Sequence, residues 1–220
     1  MQPQKTVTHH IDGNPKNNTP KNLIALPPSV HSKLCQIAVW CENIKKPSLF
    51  FIGKAGSGKT ALANHAVTAH GYVRAAFGDG IKQIAIEEFG MNPHRKRRHL
   101  LQTIGRVGRA LDEFIWIRRL LSTISKAEGP VVIDDCRLLN EFLVLKLLGM
   151  RGIYLECPAN RRRTRARDFP RADAEKDVTE MELESLKKHS DFVLDTSKPL
   201  QTSLSEMDEI IRHLMLQTNF

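Results

Sequence analysis

The stretch Gly53-Lys54-Ala55-Gly56-Ser57-Gly58-Lys59-Thr60 decides the fold of this chain. It has the pattern G-x-x-x-x-G-K-[ST], it follows the apolar run Leu49-Phe50-Phe51-Ile52, and it opens an apolar-periodic segment. A strand before and a helix after are the context in which this pattern forms a phosphate-binding loop. Glycines let backbone N–H groups converge on an anion, and the positive end of the helix dipole adds to their field. The sequence therefore predicts a nucleotide site at residues 53–60, called the phosphate loop below.

Each residue type in the phosphate loop has its own expected role. The backbone is expected to cradle the phosphates at five positions, namely Gly53, Ala55, Gly56, Ser57 and Gly58. Lys59 is expected to bind the β- and γ-phosphates and to act in catalysis, and the Thr60 hydroxyl to bind the metal. A glycine-rich turn without a ligand is disfavoured, because all fixed positions and both flanks fit the pattern. We therefore expect ATP and Mg²⁺ as cofactors.

Length and composition limit the classes of protein. A chain of 220 residues, 41% hydrophobic and 26% charged, has room for one α/β domain and a small appendage. No apolar run is long enough to cross a bilayer, and residues 1–5 lack the apolar core of a signal peptide. The scattered cysteines favour reduced thiols. We expect a cytoplasmic protein with no membrane partner, and the sequence leaves a monomer and a homodimer open.

Basic residues are in excess and occur in clusters. The net charge is +9, with runs of arginine and lysine at Arg95–Arg98 and Arg161–Arg167. Such an excess favours a nucleic-acid partner. It equally favours polyphosphate chemistry, because the planar guanidinium group binds phosphate with two hydrogen bonds. Charge alone does not decide between these partners.

From residue 46 onward, strand and helix patterns alternate. Strands are predicted at residues 49–52, 72–77, 131–135, 152–157 and 191–195. Helices are predicted at residues 59–70, 81–89, 95–127 with a break near 111–112, 140–148, 179–188 and 203–216. This alternation predicts an α/β fold, a three-layer sandwich in which helices cover both faces of a parallel sheet. We assign residues 46–220 to this P-loop domain, with residues 161–167 as an arginine-rich lid.

Two carboxylates end the strand Val131-Val132-Ile133-Asp134-Asp135. Ligands of open α/β sheets bind beyond the carboxyl ends of the strands, so both side chains are expected near the phosphate loop. There Asp134 is expected to hold Mg²⁺ through water and Asp135 to act in catalysis. Arg137 follows the same strand end and is the best candidate to hold an acceptor phosphate. The alternative is a solvated strand end.

The first 45 residues form a separate pattern. A strand is predicted at 6–11, a turn at 12–20, a second strand at 22–26 and a helix from Ser29 to about Trp40. The result is a ββ-α unit of a size that seldom folds without a metal or a neighbour to pack on. We therefore assign residues 1–45 to a small N-terminal unit.

The N-terminal unit resembles the core of HNH homing-type endonucleases. The resemblance is carried by His9-His10-Ile11-Asp12-Gly13-Asn14-Pro15, Asn17-Asn18, Asn22-Leu23 and His31. It implies that His9 and His31 bind a divalent metal, that His10 is the general base, and that Asn22 orients the imidazole of His10. It also implies nucleic acid as a partner and phosphodiester cleavage as the reaction. A remnant that no longer cleaves remains the alternative.

The P-loop domain resembles the phage-type deoxynucleoside monophosphate (dNMP) kinases. The resemblance spans residues 49–211 and is carried by ordered blocks at 77–82, 100–109, 114–118 and 134–141. It implies transfer of the γ-phosphoryl group of ATP to a dNMP, giving dNDP and ADP, in a host cytoplasm. Thr60, where that family has Asp, and Leu138-Leu139, where it has Phe-Pro, depart from its pattern.

The kinase resemblance also implies a second set of site residues. The acceptor is expected to be bound by Asp79, Arg106, Arg109, Trp116 and Arg137, although Trp116 fits core packing equally well. Arg106 and Arg109 are three residues apart on a predicted helix and so share one face. Arg163 and Arg165 are expected to act in catalysis from the lid, which would exclude water from ATP. An HNH endonuclease with an attached ATP-binding module, and a kinase of another small molecule such as phosphomevalonate, remain alternatives.

Overall fold

A computed structural model describes residues 5–38, 44, 47–165 and 178–218 of the chain, and seven strands lie within these ranges. The strands are β1 (Val7–His10), β2 (Leu23–Leu26), β3 (Leu49–Ile52), β4 (Val73–Ala75), β5 (Val131–Cys136), β6 (Arg151–Glu156) and β7 (Phe192–Asp195). The helices are α1 (Pro28–Ala38), α2 (Lys59–His70), α3 (Phe77–Glu87), α4 (Arg98–Leu111), α5 (Ile115–Ile124), α6 (Leu139–Leu147), α7 (Ala159–Arg165), α8 (Val178–Lys187) and α9 (Leu200–Thr218). A 3₁₀ turn, Pro20–Asn22, precedes β2.

Five of the strands form one parallel sheet in the order β4-β5-β3-β6-β7. The central strand β3 is buried along its whole length, as its apolar sequence predicts for a strand covered on both faces. The chain turns to β5 and β4 on one side of β3 and to β6 and β7 on the other. Because ligands bind where the strand order reverses, the loop after β3 lies at the position where a site is expected.

Apolar side chains cover both faces of the sheet. On one face, Phe51 of β3 packs in a cluster with Leu62 of α2 and Ile211 of α9. On the other face, Phe50 of β3 packs with residues of α5 and α6, and its ring meets that of Phe142 edge to face. The predicted α/β sandwich with a parallel sheet is thus confirmed.

The N-terminal unit is attached to the second of these clusters. Strands β1 and β2 pair antiparallel from Val7 with Leu26 to His10 with Leu23, and α1 follows them. Ile11, Leu26 and Leu34 are buried in the same cluster as the α6 side chains. The predicted ββ-α arrangement is therefore present, and its apolar side packs on the P-loop domain. Residues 45 and 46, where the domain boundary is predicted, lie outside the described part, so that boundary stays a prediction.

One element boundary differs clearly from its prediction. Helix α3 begins at Phe77, whereas the sequence predicts that the second strand extends to residue 77 and that the helix begins near Ile81. The reason is a cap from another strand: the carboxylate of Asp135 accepts hydrogen bonds from the backbone N–H groups of Phe77 and Gly78. Those N–H groups lack partners within the helix, so the carboxylate stabilises an earlier start.

In the described part of the chain, no helix combines the length and the apolar character that crossing a bilayer requires. Helix α9 is the longest of those above, and its sequence carries several charged residues. Of the predicted lid, residues 161–165 form the last part of α7, and residues 166 and 167 lie outside the described residues.

Candidate active site

The phosphate loop turns tightly between β3 and α2. Gly56 and Gly58 have φ angles of +80° and +94°, in the left-handed region that favours glycine. A Cβ atom at position 56 would lie 2.7 Å from the carbonyl oxygen of Arg162, so only glycine fits there. Gly58 is the N-cap of α2, which directs the first N–H groups of that helix toward the loop. The loop has the cradle shape that its sequence predicts.

Lys59 is folded back across the loop. Its ammonium group donates hydrogen bonds to the carbonyl oxygens of Gly53, at 2.5 Å, and Lys54, at 2.9 Å, and the residue is 8% exposed. An ammonium ion this well desolvated attracts an incoming anion more strongly than one in water does. Lys59 is thus held beside the space that the loop encloses.

The hydroxyl group of Ser57 indicates whether the phosphate loop suits a bound phosphate. The residue is fully buried, and its carbonyl oxygen accepts a hydrogen bond of 2.8 Å from the Thr196 hydroxyl. Its own hydroxyl has no partner among the described residues. A buried hydroxyl without a partner is costly, and a bound phosphate oxygen is a suitable acceptor for it. The loop therefore fits the triphosphate of ATP.

Thr60 and Asp134 come together at the ends of α2 and β5. The Thr60 hydroxyl lies 3.2 Å from Oδ2 of Asp134, and Oδ1 of Asp134 accepts a hydrogen bond of 2.7 Å from Arg74. Asp134 is 4% exposed, so Arg74 supplies the positive charge that a buried carboxylate needs. Hydroxyl and carboxylate oxygens are ligands that Mg²⁺ accepts, and the pair therefore fits the predicted magnesium site.

Asp135 caps the first turn of α3 from the end of β5. Both of its carboxylate oxygens are used by α3, at 2.9 Å from the N–H of Phe77 and 2.8 Å from that of Gly78. Burial raises the pKa of this carboxyl, and the two N–H donors oppose that rise. Asp135 thus positions α3 against β5, and its expected role in catalysis stays a prediction.

Arg74 lies beside the Thr60–Asp134 pair, and further basic side chains lie near neighbouring carboxylates. Arg74 and Lys82 both contact the carboxylate of Asp79, at 3.3 Å and 2.7 Å, in the first turns of α3. Arg109 lies close enough to Glu141 to lower the pKa of that group, and Arg137 has the same effect on Asp135. Each of these four basic side chains thus lies near a carboxylate: Arg74 and Lys82 near Asp79, Arg109 near Glu141, and Arg137 near Asp135.

The two remaining residues predicted to bind the acceptor, Arg106 and Trp116, lie in different environments. Arg106 is exposed on α4, and its binding of the acceptor stays a prediction. Trp116 is 3% exposed, and its indole N–H donates to the carbonyl oxygen of Gly105 at 3.1 Å. A Cβ atom on Gly108 would lie 2.5 Å from that ring. Trp116 thus packs α5 against α4, which favours the core-packing alternative over contact with an acceptor base.

Glu141 was not among the predicted site residues. Its carboxylate accepts hydrogen bonds from the N–H groups of Arg137, at 2.9 Å, and Leu138, at 3.1 Å, so it fixes the turn that carries Arg137. Burial, with the nearby charge of Asp135, raises the pKa of Glu141 to about 7. A glutamate three positions into a helix is a capping signal that sequence reading could have used.

The arginines of α7 fasten the helix to its surroundings. Arg162 is buried and donates to the carbonyl oxygens of Cys157, at 3.1 Å, and Ala55, at 3.2 Å, which joins α7 to the phosphate loop. Arg165 is exposed and donates to the carbonyl oxygens of Thr196, at 2.6 Å, and Lys198, at 3.3 Å. Arg163 is exposed. Arg162 is thus a contact of the loop that the sequence did not single out, and the lid stays a prediction.

The N-terminal histidines form a second polar group. The rings of His9 and His31 are 5.2 Å apart between centroids and nearly perpendicular. His9 is 3% exposed, and its Nε2 atom has no partner among the described residues. Burial and the nearby His31 and His10 lower the pKa of His9. The structure therefore brings together the two residues for which metal binding is predicted.

Asn22 does not hold the His10 ring. Its side chain lies 2.8 Å from both the Asp12 carboxylate and the Asn17 carbonyl oxygen, whereas Nε2 of His10 lies 2.9 Å from Asn18 Oδ1. Asn22 thus orders the β1–β2 loop, because its short side chain reaches across the turn and not back to β1. This corrects the orienting role that the endonuclease resemblance implies for it.

Several proteins of known structure have a fold similar to that of this chain. The chain is similar to shikimate kinase from Acinetobacter baumannii in complex with shikimate, at 16% identity and a TM-score of 0.52, over 82% of this chain and 98% of that one. It is similar to TT1252 from Thermus thermophilus at 19% identity and a TM-score of 0.50, over 77% and 99% of the two chains. The gluconokinase of Sinorhizobium meliloti 1021 matches at 18% identity and a TM-score of 0.48, over 80% and 99%.

These likenesses concern the fold. Together with the parallel sheet and the phosphate loop of this chain, the similarity to shikimate kinase indicates that the chain has the P-loop kinase fold. No protein-family model matches the chain, and no curated protein matches it.

Proposed function

We propose that the protein transfers the γ-phosphoryl group of ATP to the 5′-phosphate of a dNMP, giving dNDP and ADP. The observation that carries this proposal is the combination of the buried Lys59 ammonium group in the phosphate loop with Arg74 beside the Thr60–Asp134 pair. Two polyanions repel each other as they approach, so positive side chains on both sides of the reacting groups lower the barrier. A phage-encoded enzyme acting in a host cytoplasm is part of the same proposal.

The donor side is the better defined half. The loop N–H groups, the free Ser57 hydroxyl and the ammonium group of Lys59 would bind the triphosphate. Thr60 and Asp134 would hold Mg²⁺, which neutralises phosphate charge in reactions of this class. The phosphate loop would keep these groups fixed, because Arg162 and Thr196 hold its backbone from outside.

The proposed acceptor site is supported by the positive charge of the arginine and lysine side chains near it. Arg74 and Lys82 are paired with carboxylates, while Arg137 is exposed just beyond β5 and free to turn toward an acceptor phosphate. Arg109 lies near Glu141 on the same side. Guanidinium groups bind phosphate with two parallel hydrogen bonds, which both orient the acceptor and neutralise it. Arg137 is therefore the proposed anchor of the acceptor phosphate.

The test is a coupled ADP-release assay with the full chain, ATP and Mg²⁺, over all dNMPs and NMPs. One or more dNMPs should stimulate ADP release, and Lys59→Ala should abolish it. Arg137→Gln should raise KM for the acceptor with little change in KM for ATP, whereas Lys126→Gln, at an exposed position outside the site, serves as the control. Well-folded protein that releases no ADP with any dNMP would contradict the proposal.

An acceptor that is not a nucleotide is the alternative within the same fold. Shikimate kinase is described in complex with shikimate, a small acid, and guanidinium groups bind carboxylates as well as phosphates. The assay should therefore include shikimate and phosphomevalonate. ADP release with either of these, and with no nucleotide, would move the proposal to a small-molecule kinase.

DNA cleavage by the N-terminal unit is a second candidate function. The pairing of His9 with His31, together with the unpartnered Nε2 atom of the buried His9, favours a divalent metal at this position. His10 is partly exposed on the neighbouring position of β1, where its imidazole would accept a proton from water. The arrangement supports an HNH-like site, and the altered position of Asn22 supports a remnant.

Plasmid nicking in the presence of Mg²⁺, Mn²⁺ or Zn²⁺ separates these two interpretations. An active site predicts nicking that EDTA stops and that His10→Ala removes, while Lys59→Ala leaves it unchanged. Nicking that persists in His10→Ala would exclude His10 as the base. Wild-type protein that does not nick with any of the three metals would identify the unit as a remnant.

A further inference from the structure

Two histidines and one carboxylate converge between α2 and α9. Nε2 of His65 lies 2.7 Å from Oδ1 of Asp208, and Nε2 of His70 lies 2.6 Å from the same oxygen. The two imidazole rings are 5.7 Å apart between centroids and nearly perpendicular. Across the ranges that the structure describes, this is the one group of three His, Cys, Asp or Glu residues whose ligand atoms all lie within 4.8 Å of one another. We call it the α2–α9 cluster.

We propose that the α2–α9 cluster binds one Zn²⁺ ion, which fastens the C-terminal end of α2 to α9. Imidazole nitrogen and carboxylate oxygen are both ordinary ligands of zinc. Two histidines and one carboxylate occupy three coordination positions and leave the fourth to water. The side chains are 19–32% exposed, so an ion and a water molecule have access from solvent.

The positions of the donor atoms suit such an ion after a small adjustment. Zinc–ligand bonds of about 2.0–2.2 Å place neighbouring ligand atoms about 3.3 Å apart in a tetrahedron. The nitrogen–oxygen distances of 2.6 Å and 2.7 Å must therefore lengthen, which rotation of partly exposed side chains allows. Both histidines already present the same nitrogen, Nε2, to a common point. Each would ligate as neutral imidazole with its proton on Nδ1.

The cluster is separate from the phosphate loop. Helix α2 has 12 residues, and His65 and His70 lie in its second half. A helix rises about 1.5 Å per residue, so His70 is about 16 Å along the axis from Lys59. Asp208 follows Met207, which is buried against α2 residues in the core cluster of that face. The ion would thus link α9 to the helix that carries the phosphate loop without taking part in its chemistry.

The competing interpretation is a cluster held by hydrogen bonds alone, in which each Nε2–H donates to Asp208. Asp208→Asn distinguishes the two. An asparagine keeps a carbonyl oxygen that accepts hydrogen bonds, but it loses the negative charge that a zinc ligand supplies. The metal interpretation predicts that this variant folds as the wild type does and no longer binds Zn²⁺ at this cluster.

The experiment is a calorimetric titration of the full chain with Zn²⁺ in excess Mg²⁺, followed by the melting temperature at each zinc concentration. Wild-type protein should bind one equivalent that raises the melting temperature. His65→Ala, His70→Ala and Asp208→Asn should each weaken that equivalent at least about tenfold. His213→Ala, at an exposed position of α9, should leave it unchanged, and His9→Leu should as well because the N-terminal pair is a different site.

Two outcomes would overturn the proposal. One is a wild-type protein that binds no Zn²⁺ under these conditions. The other is unchanged zinc affinity and stoichiometry in both His65→Ala and Asp208→Asn. If an alanine variant fails to fold, Asp208→Asn decides the question by itself, together with Co²⁺ titration of wild-type protein and that variant. Visible absorption bands of tetrahedral Co²⁺ should appear in the wild type and be lost in Asp208→Asn.

Discussion

Polar groups around the phosphate loop and polar groups of the N-terminal unit are held in different ways. Near the loop, the hydrogen bond between Thr60 and Asp134 joins residues that are far apart in the chain. In the β1–β2 loop, Asp12 bonds Asn17 and Asn22, which are close neighbours in sequence. The first arrangement exists only when the whole sheet has formed. The second needs only its own short segment.

The apolar side chains of the two regions, in contrast, pack in one common cluster. Leu26 and Leu34 of the N-terminal unit are buried in the same cluster as Phe142 of the P-loop domain. The unit therefore orders its polar loop locally and depends on the larger domain for its core. This contrast predicts which substitutions remain confined to one region and which reach both.

The largest expected effect comes from Leu34→Ala. Leu34 is fully buried in the shared cluster, and removing such a side chain costs about 2–5 kcal/mol of unfolding free energy. Because the core is shared, unfolding should remain one transition at a lower denaturant concentration. Far-UV circular dichroism and the fluorescence of Trp116, in a Trp40→Phe background, should report that transition together.

Ser32→Ala is the matched control on the exposed face of α1, and it should change stability by less than about 0.5 kcal/mol. Two separate transitions, with the Trp116 signal unaffected by Leu34→Ala, would mean that the N-terminal unit folds independently.

Glu141→Gln should remove a pH dependence of stability that belongs to the P-loop domain. The pKa of Glu141 is raised from 4.5 to about 7, so the folded chain holds this proton more tightly than the unfolded chain does. Stability therefore falls as pH rises from about 4.5 to about 7, by about 3 kcal/mol at most for this group. Urea unfolding across this range should show a flatter curve for the variant.

Glu88→Gln, at an exposed position after α3, should leave that slope as it is in the wild type. Equal pH slopes in the wild type and Glu141→Gln would show that the buried carboxyl is not the source.

Gly56→Ala should break the phosphate loop without reaching the N-terminal unit. Its Cβ atom would lie 2.7 Å from the Arg162 carbonyl oxygen at a φ of +80°, so the loop must shift. Displacing a binding loop by about 1 Å costs on the order of 100-fold in kcat/KM. Gly71→Ala is the matched control, because its φ is +68° with no atom within 4 Å of the added Cβ. Activity should fall in the first variant only, and equal losses in both would refute the contact with α7 as the cause.

The smallest effect is expected at His9. Its pKa is lowered by burial and by His31 and His10, so the folded chain resists protonation and stability is lost as pH falls below the ordinary value of 6.5. This direction is opposite to that of Glu141. In EDTA, His9→Leu should lose less stability than the wild type on acidification, as measured by urea unfolding. A steeper acid loss in the variant would be inconsistent with a buried neutral imidazole.

Much of the fold was predictable because its signals are local. The apolar run at 49–52 and the glycines at 71 and 149 fix β3 and the ends of two helices, and the structure places them as predicted. The start of α3 was not predictable in this way. Its cap, Asp135, lies on a strand more than fifty residues later, and no local pattern carries that information.

The residues of the candidate site also fall into those that a local sequence pattern predicts and those that it does not. The phosphate loop was predictable from its sequence motif. The position of Asp134 near Thr60 was predictable because ligands bind beyond the carboxyl ends of parallel strands. Arg74, Glu141 and Arg162 were missed as contacts of the site, since each depends on the packing of another element. Trp116 shows the reverse case, in which a residue type that suits base stacking is buried between α4 and α5.

Because the N-terminal unit shares its core with the P-loop domain, a single substitution in this unit and a deletion of the unit should have different effects. A substitution of His10 removes a partly exposed imidazole and leaves the apolar cluster as it was. Deletion of β2 and α1 would expose the α6 side chains that Leu26 and Leu34 cover. A substitution at His10 should therefore leave this cluster intact, whereas deletion of the segment should destabilise the P-loop domain. The contribution of the N-terminal unit to the core thus does not depend on whether the unit cleaves DNA.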